Sequence, residues 1–329
     1  MTREAEVKSG RRDFMARCLK AGAAIVAVGG LAFWRYDDTP PTGIDADEQS
    51  VTLPRFSVAG TEGRMGVAKG KVRSKTLARA LKAVGGIEAF IKPKDQVLIK
   101  VNAAFAMPPL LSATTHPELV RELTRYCLKA GAARVVVTDN PIHDPGSAFA
   151  LTGIETAAKK AGAEVVVPRA DHFKPFTLAT GALLDHWPIL FEPLTGVNKI
   201  IGVAPVKSHH RSGASMTMKN WYGLLGGRRN VFHQDINNII KELSMMVTPT
   251  LVVLDGTWSM MTNGATGGSL DDLTATRTMI VSTDQVAADA FGARLLGKRG
   301  SELPYLAKAA QAGVGTTDFR SLGVKGDIV

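Results

Sequence analysis

Six short apolar runs rich in β-branched residues alternate with helix-like segments along most of this 329-residue chain. The runs cover residues 96–101, 134–138, 164–167, 199–204, 250–254 and 278–282. Near-continuous apolar runs of this length are typical of strands covered on both faces, as in parallel sheets flanked by helices. The pattern therefore predicts a three-layer α/β fold of the doubly wound, Rossmann-like type. Its mostly parallel sheet should have about six strands, with helices on both faces.

Helical segments lie between most of these runs. They are predicted over 117–130, 147–161, 216–225, 235–246 and 285–296. Thr115 is predicted to cap the first of them, with Pro117 in its first turn and Glu118 completing a capping box. Ser215 is a candidate cap for the helix that carries Lys219 and Asn220. Both helix starts would direct free N–H groups towards ligand.

The first 36 residues have the layout of an export signal. Arg11 and Arg12 are followed by Phe14 and then by an uncharged apolar run over 21–34. This order resembles a twin-arginine (Tat) signal and predicts a periplasmic or cell-envelope location, with the Tat translocase as a transient partner. The alternative is a chance Arg-Arg pair before a buried helix. No clear Ala-x-Ala cleavage site follows, so cleavage stays open and a retained membrane tether is one outcome.

An acidic stretch separates this segment from the rest of the chain. Residues 37–54 contain five acidic residues and no Lys or Arg. This composition is typical of a solvated linker, and it predicts that a single α/β domain follows at 55–329. The chain carries a net charge of +10, but export makes nucleic acid an unexpected partner. Two cysteines exclude a disulfide scaffold, and no iron–sulfur cluster is expected.

Polar residues follow five of the predicted strands. In parallel α/β sheets the ligand site lies beyond the carboxyl ends of the strands. The residues found there are Lys100, Asn102, Asp139, Lys207, His209, Asp255 and Asp284. Turn chemistry is an equally good explanation for the aspartates, but it does not explain the lysines or His209.

A second signal is an acid-free window at residues 193–234. It holds six Lys and Arg residues, including Lys207 and Lys219, together with His209, His210 and His233. Such a window predicts an electropositive rim that attracts a small anion, although a solvated basic face would have the same composition.

Several familiar signatures are absent from the sequence. There is no GxGxxG after a strand, no P-loop, no Gly-x-Ser-x-Gly elbow and no His-Glu-x-x-His helix. The cofactor is therefore unknown. A metal held by His209 or His210 with His233 and Asp255 is an open alternative. It is not favoured, because adjacent histidines on an extended strand point in opposite directions.

An ordered set of motifs resembles the domain-of-unknown-function family 362. The set comprises Lys100-Val-Asn102, Thr115-His116-Pro117, Pro205-x-Lys207-x-His209, Met218-Lys219-Asn220 with Gly223, His233, Asp255-Gly256 and Asp284 through Asp289. The resemblance covers about residues 65–297 and implies a fold and a motif set but no reaction. Some relatives carry a ferredoxin-like cluster domain, whose cysteines are missing here.

These observations predict a small anion or cofactor bound in a crevice lined by Lys, His and Asn residues, with catalysis left open. The candidate catalytic residues are Lys100, His116, Lys207, His209 and Lys219. The candidate ligand-binding residues are Asn102, Thr115, Asp139, Asn220, His233, Asp255 and Asp284. The alternatives are a non-catalytic assembly protein for an exported redox enzyme and a membrane-tethered interaction protein. A deep crevice would favour the first hypothesis, and a flat surface would favour the others.

Overall fold

A mixed ten-stranded sheet is the centre of this computed structural model, which describes residues 44–45 and 47–327. Its main path is β12-β1-β11-β9-β7-β2-β3-β4, with β8 paired to β7 and β10 paired to β9. The strands are β1 Met65–Lys69, β2 Gln96–Lys100, β3 Arg134–Thr138, β4 Glu164–Val166, β7 Lys199–His209, β8 Gly213–Ser215, β9 Leu251–Met260, β10 Leu273–Thr274, β11 Thr278–Ser282 and β12 Lys325–Gly326. A separate hairpin is formed by β5 Phe173–Phe176 and β6 Trp187–Leu190.

The strands at the centre of the sheet run in one direction. β9, β7, β2, β3 and β4 pair in parallel, with Lys100 opposite both Thr138 and Gly202. β11 runs antiparallel to both of its neighbours, β1 and β9. The carboxyl ends of β2, β3, β7 and β9 therefore share one edge, while that of β11 lies at the opposite edge.

Helices cover both faces of the sheet. They are α1 Arg73–Ala83, α2 Pro117–Lys129, α3 Pro145–Leu151, α4 Ile154–Ala161, α5 Thr217–Asn220, α6 Ile236–Met246, α7 Gln285–Leu295 and α8 Pro304–Gln311. Alternate side chains of each strand reach opposite faces. Ile99 packs with Leu77 of α1 and Leu119 of α2, whereas Leu98 belongs to the core that holds Ile240 of α6. The α/β prediction is confirmed.

The strand prediction undercounts the sheet. Residues 134–138 and 278–282 are strands as predicted, but β1, β8, β10 and β12 were not predicted and the sheet has ten strands in the described region. β8, β10 and β12 have only two or three residues, and β1 is the sequence MGVAK, which lacks a run of branched apolar residues. The predicted helix at 147–161 is interrupted by Gly153, whose φ of 70° lies in the left-handed region.

Part of the acidic stretch lies against the domain. Val51 forms a parallel bridge with Phe176, and Glu48 pairs with Lys174 at 2.7 Å. The twin-arginine segment at residues 1–36 lies outside the described residues. Within the described ranges, no helix is long and apolar enough to cross a membrane.

Candidate functional site

A buried ion pair forms the floor of the site at the carboxyl edge of the parallel strands. The Nζ of Lys100, the last residue of β2, lies 2.7 Å from Oδ1 of Asp139, which follows β3. Lys100 Nζ also donates to the Val101 carbonyl and, at 3.2 Å, to Asn220 Oδ1. Asp139 accepts from the backbone N–H groups of Ala103 and Asn140. Both charges are thus fully hydrogen-bonded inside the protein, which a buried ion pair requires.

Two amide side chains connect this floor to the cavity above it. Asn220, at the end of α5, donates from Nδ2 to the carbonyls of Lys100 and Val203, and its Oδ1 accepts from Asn102 Nδ2 at 3.2 Å. Asn102 Oδ1 in turn accepts from Lys207 Nζ at 3.3 Å. Each amide oxygen and nitrogen therefore has a defined role, and the network fixes the position of Lys207.

Lys207 is almost fully buried and has no carboxylate partner in the described part of the chain. Its Nζ donates to the Ala113 carbonyl at 2.6 Å and lies 5.3 Å from the centre of the Phe105 ring. Burial lowers the pKa of Lys207 to about 7, and the nearby charges of Lys219 and Lys100 add to this effect.

Lys219 is the second cation of the site. Its Nζ lies 5.0 Å from the centre of the Tyr222 ring, and the described residues give it neither a hydrogen-bond acceptor nor an ion-pair partner. Burial lowers the pKa of Lys219 to about 8, with a further contribution from Arg229. Among the described residues, Asp139 is the one aspartate that lines the cavity, and it is already paired with Lys100.

The histidine His209 is held neutral. Its Nδ1 accepts from the backbone N–H groups of Arg211 and Ser212, each at 3.2 Å, so its ring proton lies on Nε2. Burial and the charge of Lys219 lower the pKa of His209 to about 2. Its ring stacks on His210 at 4.8 Å and on His233 at 5.9 Å. The expectation that His209 and His210 point apart is wrong, because β7 ends at His209 and the chain turns there.

Arg229 ties the segment after α5 to the loop that follows β3. Its guanidinium donates to four backbone carbonyls at 2.7–3.1 Å, those of Asn140, Pro141, Tyr222 and Leu225. These acceptors are neutral carbonyls, so they do not neutralise the positive charge that Arg229 adds to the site.

These side chains surround a small cavity of about 80 Å³. A cavity of this size suits a small ligand. Its lining combines cationic and polar side chains with the apolar residues Ala104, Phe105, Ile142 and Ala265. Seven of the predicted residues line this cavity together: Asn102, Asp139, Lys207, His209, Lys219, Asn220 and His233.

The sequence profile of the family described as Domain of unknown function (DUF362) matches residues 97–294, which is more than half of the chain. The chain belongs to the DUF362 family. Every residue that lines the cavity falls inside the matched region.

Two further proteins resemble this DUF362 protein. The thylakoid-associated protein sll1697 of Synechocystis sp. is 24% identical over 254 residues, which cover 74% of this chain and 75% of that protein. The lactate racemase apoprotein of Thermoanaerobacterium thermosaccharolyticum superposes with a TM-score of 0.39 at 13% identity, covering 73% of this chain. The chain spans 58% of the length of that structure, and a likeness this distant says nothing about activity.

Four predicted residues of the DUF362 chain lie away from the cavity. Asp284 is at the opposite edge of the sheet, because β11 is antiparallel, and its carboxylate caps α7 through the N–H of Ala287. Asp255 pairs with Arg73 at 2.8 Å on the face covered by α1 and α2. The prediction that both reach one ligand site with Lys207 is wrong, because β11 runs in the opposite direction and the Asp255 carboxylate is paired with Arg73 outside the cavity lining.

Thr115 and His116 have structural roles. His116, and not Thr115, caps α2 by accepting from the N–H of Glu118 at 3.3 Å. Thr115 is buried, donates to the Val203 carbonyl and accepts from the N–H of Asn102. Ser215 does not cap α5, whose N-cap position is Met216. Thr115 and His116 therefore do not line the cavity, whereas Ser215 lines it without capping a helix.

The aromatic residues of the site were not predicted from the sequence. Phe105 and Tyr222 lie beside the two lysines, and the Tyr222 hydroxyl contacts the Arg229 carbonyl and His233 Nδ1. Tyr222 and Arg229 both fall in the acid-free window, which was the available signal. Within the described residues, no group of three or more His, Cys, Asp or Glu side chains could hold a metal ion.

A larger groove of about 940 Å³ runs along α1 and the β1–β12 edge. It is open, and it is lined mainly by glycines, small apolar residues and the exposed Arg79–Asp327 pair. It lacks unpaired lysines such as the buried Lys207 and the half-buried Lys219, which distinguish the smaller cavity, and we therefore take the smaller cavity as the candidate site.

The lowered pKa of Lys207 predicts a pH dependence of stability. Between pH 7 and 10.5 the unfolded chain binds a proton at Lys207 that the folded chain has lost, so stability should rise with pH by up to ~1.4 kcal/mol per pH unit. Urea unfolding of the wild type and Lys207→Met across this range measures the effect. The variant should lack this part of the slope, and parallel curves would contradict the assignment. Lys219, Lys100, Asp139 and His209 face Lys207 and are unchanged in both proteins.

Proposed function

We propose that this protein binds a small anion in the cavity between Lys207 and Lys219. The observation that carries the proposal is the charge imbalance of the site. The amino groups of Lys207 and Lys219 and the Arg229 guanidinium surround a space in which Asp139, the one lining carboxylate among the described residues, is already neutralised by Lys100. Buried like charges repel each other and depress each other's pKa, and a bound anion relieves both effects.

The polar groups around the cavity suit a carboxylate or an oxyanion such as phosphate. Such an anion accepts hydrogen bonds, and the site offers the N–H donors of Lys219 and the Nε2–H of His209, with Lys207 beside them. The apolar side chains of Phe105 and Ile142 leave room for a small organic body beside the charged group. This convergence favours a small-molecule site over the flat surface that an assembly or tethering protein would present.

Thermal unfolding with added anions tests the proposal. At 100 times its Kd, an anion should stabilise the wild type by about 2.7 kcal/mol. Acetate and sulfate are compared at constant ionic strength, with chloride as the reference salt. Lys219→Met should abolish the response and leave the stability without anion equal or slightly higher, because one of two repelling charges is removed.

The matched control is Lys160→Met, which removes an exposed lysine of α4 and should keep the full response. Strong destabilisation of Lys219→Met without anion, together with an unchanged anion response, would make Lys219 part of the scaffold and overturn the proposal.

We further propose that the chain is exported by the twin-arginine pathway to the cell envelope. Support comes from the order of Arg11-Arg12, Phe14 and the apolar run at 21–34. Exchanging both arginines for lysine keeps the charge and should leave the folded protein in the cytoplasm. Cell fractionation measures this, with Arg17→Lys as the control. Normal export of the double variant would mean that the pair is not read as a signal.

A further inference from the structure

The hydrogen-bond geometry of Lys207 matches a neutral amine. A neutral primary amine has two N–H donors and one lone pair, whereas an ammonium group has three donors. Lys207 Nζ has two acceptors in the structure, the Ala113 carbonyl at 2.6 Å and Asn102 Oδ1 at 3.3 Å. The described residues supply no third acceptor. A neutral amine held by these two acceptors keeps its lone pair for a group in the cavity that Lys207 lines.

The surroundings of Lys207 also favour the nucleophilic form. A lysine becomes a nucleophile when it is desolvated or placed next to another cation. Lys207 is 1% exposed, it rests against the Phe105 ring, and Lys219 and Lys100 are its cationic neighbours. Asn102, itself held by Asn220, prevents the amine from turning away.

Lys219 and Lys207 differ in the hydrogen-bond acceptors of their amino groups, and this difference suggests a separate role for each lysine. Its Nζ has no acceptor in the described part of the chain, so all three of its N–H donors are available to a ligand. A ligand that carries both an anionic and an electrophilic group would satisfy both lysines. Small oxo acids, in which a carbonyl carbon adjoins a carboxylate, have this composition and fit a cavity of about 80 Å³.

We propose that Lys207 forms an imine with the carbonyl carbon of a small oxo acid whose carboxylate is bound by Lys219. This inference rests on the proposed anion site. The Nζ lone pair attacks the carbonyl carbon, and a proton transfer gives a carbinolamine. The carbon–oxygen bond then breaks, and the oxygen leaves as water with the two hydrogens that were on Nζ. No oxidant, reductant or further reactant is needed for this step.

Reductive trapping on the full chain tests the proposal. Glyoxylate is the probe and cyanoborohydride reduces any imine to a stable secondary amine, which intact mass and peptide mapping then locate. We expect one carboxymethyl adduct, on Lys207, formed faster than on any exposed lysine. Lys207→Met should lose this adduct, and Lys160→Met should retain it.

A neutral aldehyde separates the two lysines. Lys219→Met should slow trapping of glyoxylate at Lys207 by about tenfold, the factor that corresponds to ~1.4 kcal/mol of lost interaction. It should leave trapping of acetaldehyde at Lys207 within about twofold, since acetaldehyde has no carboxylate. An equal effect on both aldehydes would contradict the role of Lys219.

The wild type alone provides a test that does not depend on how the variants fold. Acetate at saturating concentration should suppress glyoxylate trapping at Lys207 but not at surface lysines. If acetate stabilises the protein through Lys219 and no Lys207 adduct forms, the imine proposal is overturned and the anion site stands. If acetate neither binds nor competes, both proposals fail.

Discussion

Asp139→Asn is expected to lower the free energy of unfolding by about 3–5 kcal/mol, because it leaves the ammonium of Lys100 buried without its partner. The pair is 2.7 Å apart and both side chains are almost fully buried. Asparagine keeps the shape of the side chain, but its NH2 group replaces one of two oxygens that accept backbone N–H groups, so the loss combines the charge with one hydrogen bond. Urea unfolding measures it, with an unchanged m-value as evidence that the native fold is kept.

The matched control is Asp171→Asn, which breaks an exposed ion pair with Arg169 and should leave the free energy of unfolding nearly unchanged. Adding Lys100→Met to Asp139→Asn should recover part of the loss, since no buried charge then remains unpaired. A loss below 1 kcal/mol in Asp139→Asn would show that Lys100 and Asp139 are not a paired floor beneath the site.

Gly223→Ala is expected to be comparably damaging although it adds a single methyl group. A Cβ at this position would collide with the Asp139 carboxylate and lie 2.7 Å from Lys100 Nζ. Overpacking of a rigid core costs about 1–3 kcal/mol, and here it also forces an ion pair apart. We expect a loss of about 3 kcal/mol or more and a weaker anion response in thermal unfolding.

Gly268→Ala is the control for this substitution. A Cβ at Gly268 meets nothing within 4 Å, so the change should stay within about 0.5 kcal/mol of the wild type. Similar losses in the two variants would mean that the approach of Gly223 to the ion pair does not constrain the fold.

The direction of β11 was the feature of the fold that the sequence could not supply. Its apolar run at 278–282 was correctly predicted as a strand, but an apolar run has the same pattern in either direction. In the sheet β11 is antiparallel to β9, and Asp284 consequently lies at the edge opposite the cavity. Because side chains alternate along a strand, Asp255 lies on the face of the sheet opposite Lys100. A position at the end of a strand does not show which face the side chain is on.

The lysines of the site were predictable for a physical reason. Lys207 and Lys219 fall in a window without acidic residues, so no local partner could neutralise them. Lys100 is also a lysine, but its charge is paired with Asp139, which lies 39 positions further along the chain. That pairing is not visible in the local sequence. Phe105 and Tyr222 were not predicted, since a single aromatic residue in a sequence looks the same in a core as beside a ligand.

Calorimetric titration of the wild type with sulfate and acetate at pH 8 tests the anion site most directly. Performed in two buffers of different ionisation enthalpy, it reports both the affinity and the protons taken up on binding. Because the pKa values of Lys207 and Lys219 are lowered to about 7 and about 8, an anion between them should raise both and cause proton uptake. We expect saturable binding with uptake of a fraction of a proton or more, lost in Lys219→Met and retained in Lys160→Met. The absence of binding in the wild type, or equal affinity and no proton uptake in wild type and Lys219→Met, would contradict the account.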